Sequence, residues 1–270
     1  MEEKNNADKI TETVDNLETS FALASENKKN KDDYFKYTKT IPRPEINRTS
    51  TLPIQTEYSL ALENEYKDFA FSEERAPLNK GKWRKSVFKV DESHPMDLEI
   101  GTGAGMHFAY HTQKFPERCL VGLELKYKPL IQSIRRARMS GAQNSAICRF
   151  HAFNLDLLFE ANEVDNVFIH FPDPWTSPRK PKNRVVNRII LKWIYDMQRV
   201  GSFLEFKTDS REYFLWALEE MKETPYKIEF KTLDLYSENN QYKENNFPTT
   251  FEKIFVRQGI QINYIKLIKS

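Results

Sequence analysis

MDLEIGTGAG, residues 96–105, is the stretch that decides the fold. Met96 to Ile100 form a short apolar strand that runs straight into Gly101, Gly103 and Gly105, and a helix over roughly 105–114 follows. Glycines in a strand-to-helix turn permit positive φ and let a ligand lie against bare backbone. A dinucleotide fingerprint puts its third glycine one place later, where Met106 stands, so the turn better suits a ligand without a pyrophosphate. Glu99 lies at the end of this strand. Glu124, 23 residues after Gly101, lies at the end of the next, CLVGLEL (119–125), where an acid accepts hydrogen bonds from ribose hydroxyls. Strand, glycines and spaced acid together describe an adenosine-bearing cofactor at the carboxyl ends of the strands. NAD stays open on this feature alone, and the bland alternative is a tight turn with two surface glutamates.

Outward from the glycine turn, strand and helix alternate. KPLIQSIRRARMSGA (128–142) has helical spacing; SAICRFHAF (145–153) and DNVFIHF (165–171) read as strands. RVVNRIILKWIYDMQRV (184–200) is an amphipathic helix, SFLEFKT (202–208) a strand and SREYFLWALEEM (210–221) a helix. KIEFKTLDLY (227–236) and TFEKIFVRQ (250–258) read as two last strands forming an antiparallel edge. This order predicts an α/β fold, a mostly parallel seven-stranded sheet with helices on both faces. Residues 1–50 are polar and expected to be disordered, 51–94 form an arm expected to pack near the active site, and 95–270 form the main domain.

The fourth strand of that series ends in FPDPW (171–175). Prolines on both sides of Asp173 fix the backbone and remove two amide donors, which is poor sheet chemistry but suits a rigid corner. Trp175 offers a face on which a base can stack. Asp173 can accept hydrogen bonds from a base or from a cofactor's amine. Read blandly, the motif is a rigid turn with a buried tryptophan.

Composition narrows the class. Among 270 residues, 41 basic side chains face 39 acidic ones, a net of +2. Residues 1–80 hold 12 basic and 16 acidic residues, so the excess positive charge lies beyond them. Two acid-free runs stand out: Lys126, Lys128, Arg135, Arg136 and Arg138, and then Arg179 through Lys192. Either run could track a phosphate backbone or coat a solvated helix face. Two cysteines exclude a disulfide scaffold, and no apolar run reaches the roughly 20 residues of a membrane span. The polar, acidic start argues against a signal peptide and for a cytoplasmic protein. His107 and His111 have a spacing that holds metals on helices, but Phe108 stands where a zinc protease helix has glutamate, so no metal is expected.

EIGTGAG, GLEL, FPDPWTSPRKPKNR, KTDSREYF and TTFEKIF resemble the bacterial tRNA (guanine-N7-)-methyltransferases over roughly residues 60–260. The resemblance implies a Rossmann-like class I methyltransferase fold, S-adenosyl-L-methionine as cofactor and tRNA as partner, in a monomer or homodimer. It implies methylation at N7 of the guanine at tRNA position 46, in the variable loop. Cofactor contacts then fall on Glu99, Gly101, Gly103, Gly105, Glu124, Asn154 and Asp173, with Asp173 also catalytic. Substrate contacts fall on Asp209, Thr249, Glu252, Trp175, Arg179, Lys182 and Arg184. Ser177, Lys180 and Asn183 depart from the family's basic run. The rival readings are a class I methyltransferase acting on another base or atom of RNA, a nicotinamide oxidoreductase, and a silent RNA-binding module.

Overall fold

Apolar strands and amphipathic helices alternate from Met96 onward, as the periodicity requires. The computed structural model describes residues 43–177, 181–237 and 241–270. Its elements are α1 (Glu57–Glu63), β1 (Ala70–Phe71), β2 (Met96–Ile100), α2 (Met106–Lys114), β3 (Cys119–Leu123), α3 (Tyr127–Met139), β4 (Ser145–Cys148), β5 (Val167–His170), α4 (Arg188–Met197), β6 (Phe203–Thr208), α5 (Arg211–Lys222), β7 (Lys227–Thr232), α6 (Thr250–Arg257) and β8 (Asn263–Ile268). A single helical turn, Gln241–Glu244, precedes α6.

Sheet order is β1-β4-β3-β2-β5-β6-β8-β7. Strands β1 to β6 pair in parallel, and β8 runs antiparallel to both β6 and β7. Six of the seven expected strands are present as β2 to β7; β8 takes the place of the seventh, and two-residue β1 is added at the outer side of β4. Strands β2, β3, β4 and β5 are buried along their whole length, as a sheet covered on both faces requires. Helices α1, α2 and α3 pack together, and α4 packs with α5 and the turn 152–157. Leu98, Leu120, Val121, Ile147, Ile169, Leu204 and Phe206 are all fully buried in the core. Among the described residues no helix is long and apolar enough to cross a membrane.

One element differs in kind from its sequence reading. Residues 250–258, expected as a strand, form helix α6, and the antiparallel strand is the later Asn263–Ile268. The cause is local. Thr249 caps the helix by accepting from Glu252 N–H while Glu252 reaches back to Thr249 N–H, a reciprocal capping box. Phe251, Ile254 and Phe255 then fall at i, i+3 and i+4, on one flank of a helix.

Candidate active site

Two of the three glycines open a cradle and the third closes a helix contact. Gly101 and Gly103 hold φ of +81° and +53°, and a Cβ built on either would meet nothing within 4 Å. Gly105 differs: its Cβ would lie 2.4 Å from Ser133 Cα, so it permits close packing of α2 on α3. Gly101 and Thr102 donate their N–H groups to Leu123 O at 2.9 and 3.1 Å, which ties the turn to the end of β3. Glu124 accepts from Gly103 N–H and Lys126 N–H, both at 3.0 Å. Burial raises its carboxyl pKa, and those backbone donors oppose the rise. Glu99 is buried, and its carboxylate accepts from His107 Nδ1 at 2.9 Å.

Asn154 follows β4 on the same side of the sheet. It is buried, and its Oδ1 has no hydrogen-bond partner. Pro44 O accepts from Asn154 Nδ2 at 3.5 Å, and Asn47 O accepts from Arg149 Nη1 at 2.8 Å. Buried Thr49 bonds Glu73 and, at 2.9 Å, the Tyr127 hydroxyl. Residues 43–49 therefore lie along the Asn154 end of the cleft. Neither Arg149 nor this strap carries a motif, which is why sequence reasoning missed both.

The proline corner follows β5. Phe171 and Trp175, at its two ends, adopt left-handed φ of 51° and 44°, a conformation costly for bulky side chains. Asp173 is exposed between them, and Asp173, Pro174, Trp175, Thr176 and Ser177 line an open cleft. Phe171 N–H donates to Lys207 O at 2.8 Å, anchoring the corner's first residue to β6. Asp209 sits half-buried just past the end of β6.

Arg184 lies beneath this corner rather than on its outer surface. Only 2% of it is exposed. Its Nε donates to Pro174 O at 2.8 Å, its Nη2 to Glu212 at 2.7 Å, and its guanidinium stands 5.1 and 5.0 Å from the rings of Tyr213 and Trp216. Packing therefore consumes the groups that would grip a phosphate. Glu252 is likewise fully buried, accepting from Lys207 Nζ at 2.8 Å, Tyr236 OH at 2.9 Å and Asn246 Nδ2 at 2.6 Å. Thr249 is half-buried and its hydroxyl serves the cap. Lys182 is exposed, while Arg179 lies outside the described residues. In the earlier basic run, Arg138 stacks 3.8 Å from the Phe69 ring and Arg136 donates to Ala104 O, so part of that charge also serves packing.

His107 and His111, spaced like a metal pair, are instead bound to carboxylates, His111 to Asp97 at 2.9 Å. His170 joins them, its ring 4.5 Å from His107 and its Nε2 2.8 Å from Glu205. Burial, then the charge of Lys207, drives the His170 pKa well below its ordinary value, so its neutral ring donates to the Glu205 carboxylate.

The strand order places Asn154, Glu124, the glycine turn, Asp173 and Asp209 in sequence along one edge, after β4, β3, β2, β5 and β6. Strand spacing of about 4.8 Å makes that edge roughly 19 Å long, room for an adenosyl group and a purine side by side. Strands are added outward on one side of β2 (β3, β4) and then on the other (β5, β6), so the strand order reverses between β2 and β5, the switch point at which open α/β sheets bind ligands.

A family model described as "Putative methyltransferase" matches residues 93–264. The chain is 59% identical over 210 residues, 78% of its own length and 100% of the relative's, to the tRNA (guanine-N(7)-)-methyltransferase of Bdellovibrio bacteriovorus. It is 33% identical over 189 residues to the protein of that name from Cytophaga hutchinsonii, covering 69% of this chain and 84% of that one. Over 180 residues it is 31% identical to the Bacillus subtilis protein, covering 67% and 82%.

Proposed function

The chain belongs to the bacterial tRNA (guanine-N(7)-)-methyltransferase family, and from that premise we propose that it methylates N7 of guanine 46 in the tRNA variable loop. S-adenosyl-L-methionine is the methyl donor, tRNA the partner and the cytoplasm the place, with the enzyme acting as a monomer or homodimer. The observation that carries this reading is the row of groups along one sheet edge, from Asn154 to Asp209.

The residues present fit the cofactor. The partnerless Asn154 Oδ1 is an acceptor for an adenine amine. Glu124 uses two acceptor positions on backbone donors and keeps others for ribose hydroxyls. Gly101 and Gly103 leave open space above the turn that any Cβ would narrow. Glu99, fixed by His107, stiffens the base of the cradle. Bound there, the cofactor supplies an electrophilic sulfonium methyl.

Guanine N7 carries an available lone pair, so the protein needs no strong base. Its task is alignment, which is worth at most on the order of 7–11 kcal/mol. Asp173, on a corner that cannot flex freely, orients the two partners. Asp209 accepts from the guanine N1–H and exocyclic amine, which selects against adenine. Thr249 contributes from the start of α6, with Glu252 behind it holding that helix to Lys207. The alkylated base is cationic, and carboxylates beside it favour the charge as it develops. Trp175 stacks a base, and Lys182 and Arg179 take phosphates. Arg184 braces the corner from below.

Unmodified tRNA incubated with labelled S-adenosyl-L-methionine and digested to nucleosides should yield 7-methylguanosine. A label on another atom or base would replace this reading with that of a different RNA methyltransferase.

A further inference from the structure

Helix α6 presents an aromatic flank that the mechanism above does not use. Phe251 is 60% exposed and Ile254 42% exposed. Phe255, half-buried beside them, stacks with Phe251 at a centroid distance of 6.4 Å. Phe255 also stands 5.8 Å from Phe171, the residue that opens the proline corner. The apolar flank is thus continuous with the proposed active site: Phe251, Phe255 and Phe171 lead in turn to Asp173, with Trp175 on its far side. Glu252, on the buried side of the same helix, fixes the helix through Lys207 at 2.8 Å, so the flank is held in place. On the opposite flank Lys253 and Arg257 are exposed.

Flat rings stack on the face of a base whatever its sequence, and this flank runs without a break through Phe255 and Phe171 into the corner that handles a base. We propose that the Phe251–Ile254–Phe255 flank is a stacking platform for unpaired bases of the tRNA next to the guanine being methylated. This rests on the tRNA reading given above and extends it to a surface outside the reacting groups. The platform holds the strand once the target base has left the stack, a step that itself costs a few kcal/mol.

The test uses the full chain and unmodified tRNA, comparing F251A, the F251A/I254A double variant and F251W. Both positions are exposed, so the fold should tolerate the changes. Losing a stacked base should raise the Kd and KM for tRNA by roughly 5- to 100-fold. Affinity for S-adenosyl-L-methionine should not change, and F251W, which keeps a ring at the position, should retain wild-type tRNA binding. The slope of log Kd against log salt should stay at the wild-type value, because no phosphate contact is removed. Unchanged tRNA affinity in the double variant would overturn the proposal. So would a change in sedimentation from dimer to monomer, which would make the flank a contact between two copies of the chain. If wild-type protein binds tRNA but methylates no N7, the activity reading fails while the platform is still tested by binding.

Discussion

Replacing Arg184 by alanine separates two roles that the sequence alone cannot. Were it a phosphate ligand, R184A would weaken tRNA binding and cut the salt slope by about 1 with little effect on stability. The structure requires the opposite. The Arg184 side chain is 3% exposed, against 59% for its partner Glu212. Glu212 rehydrates at small cost once released. Pro174 O, part-buried, loses a bond to a charged donor worth about 1.5–3 kcal/mol. The contacts with Tyr213 and Trp216 add about 0.5–2 kcal/mol more when lost. R184A should therefore lose about 3 kcal/mol, read as a lower urea midpoint and a fall in Tm of roughly 6–12 °C. Methyl transfer should fall with it, because the strained corner loses its brace, while the salt slope of tRNA binding stays at the wild-type value. In the same titrations K182A should lower the slope by about 1. If R184A keeps wild-type stability to within about 0.5 kcal/mol and still loses the slope, the guanidinium faces RNA and this placement is refuted.

Asn154→Leu removes an acceptor that has no partner in the protein, so stability should hold or rise while the Kd for S-adenosyl-L-methionine increases roughly 3- to 10-fold, measured by calorimetry. The two kinds of glycine should part company in denaturation and cofactor titrations. G105A drives a methyl to 2.4 Å from Ser133 Cα and should cost more than about 3 kcal/mol, whereas G103A should cost only about 1–2 kcal/mol in backbone strain and act mainly on cofactor affinity. His170, buried beside Glu205, His107 and Lys207, is kept neutral by burial, then by Lys207. The unfolded chain takes up a proton below about pH 6.5 where the native residue does not. Its contribution is therefore complete above that pH and lost as pH falls. Between pH 7 and 5.5 it should withdraw about 1 kcal/mol, seen as a steeper pH dependence of the urea midpoint in wild type than in H170N. His151, also lowered by burial, acts in the same direction and is common to both.

The centre of the fold was legible because two periods and one glycine cluster coincide there. An apolar run ending at Gly101 followed by helical spacing admits few foldings, and β2, α2, β3 and α3 lie within a few residues of their expected places. Legibility fades where a contact is long-range. β1 is two residues long and exists because Phe69 O and Phe71 O accept from Ile147 N–H and Arg149 N–H, which no local pattern announces. TFEKIFVRQ has both aromatic β-formers and a helical spacing; the capping box at Thr249 decided for the helix, and the Thr-x-x-Glu signature of that box was present in the sequence.

Two of the expected substrate contacts, Arg184 and Glu252, are buried for one cause. A motif names a charged residue without saying which way it points, and both Arg184 and Glu252 point inward toward partners far along the chain: Glu212, Tyr213 and Trp216 for the arginine, Lys207 and Tyr236 for the glutamate. Their position explains how the corner can exist at all. Two bulky residues in left-handed backbone cost roughly 1–2 kcal/mol each. The bond from Arg184 to Pro174 O and the bond from Phe171 N–H to Lys207 O hold the two ends of the turn to the sheet and α5. Lys207 is in turn fixed by Glu252. Arg184 and Glu252, two of the residues that sequence resemblance assigns to the substrate, thus pack behind the corner, and the exposed Asp173 carboxylate owes its fixed position to them.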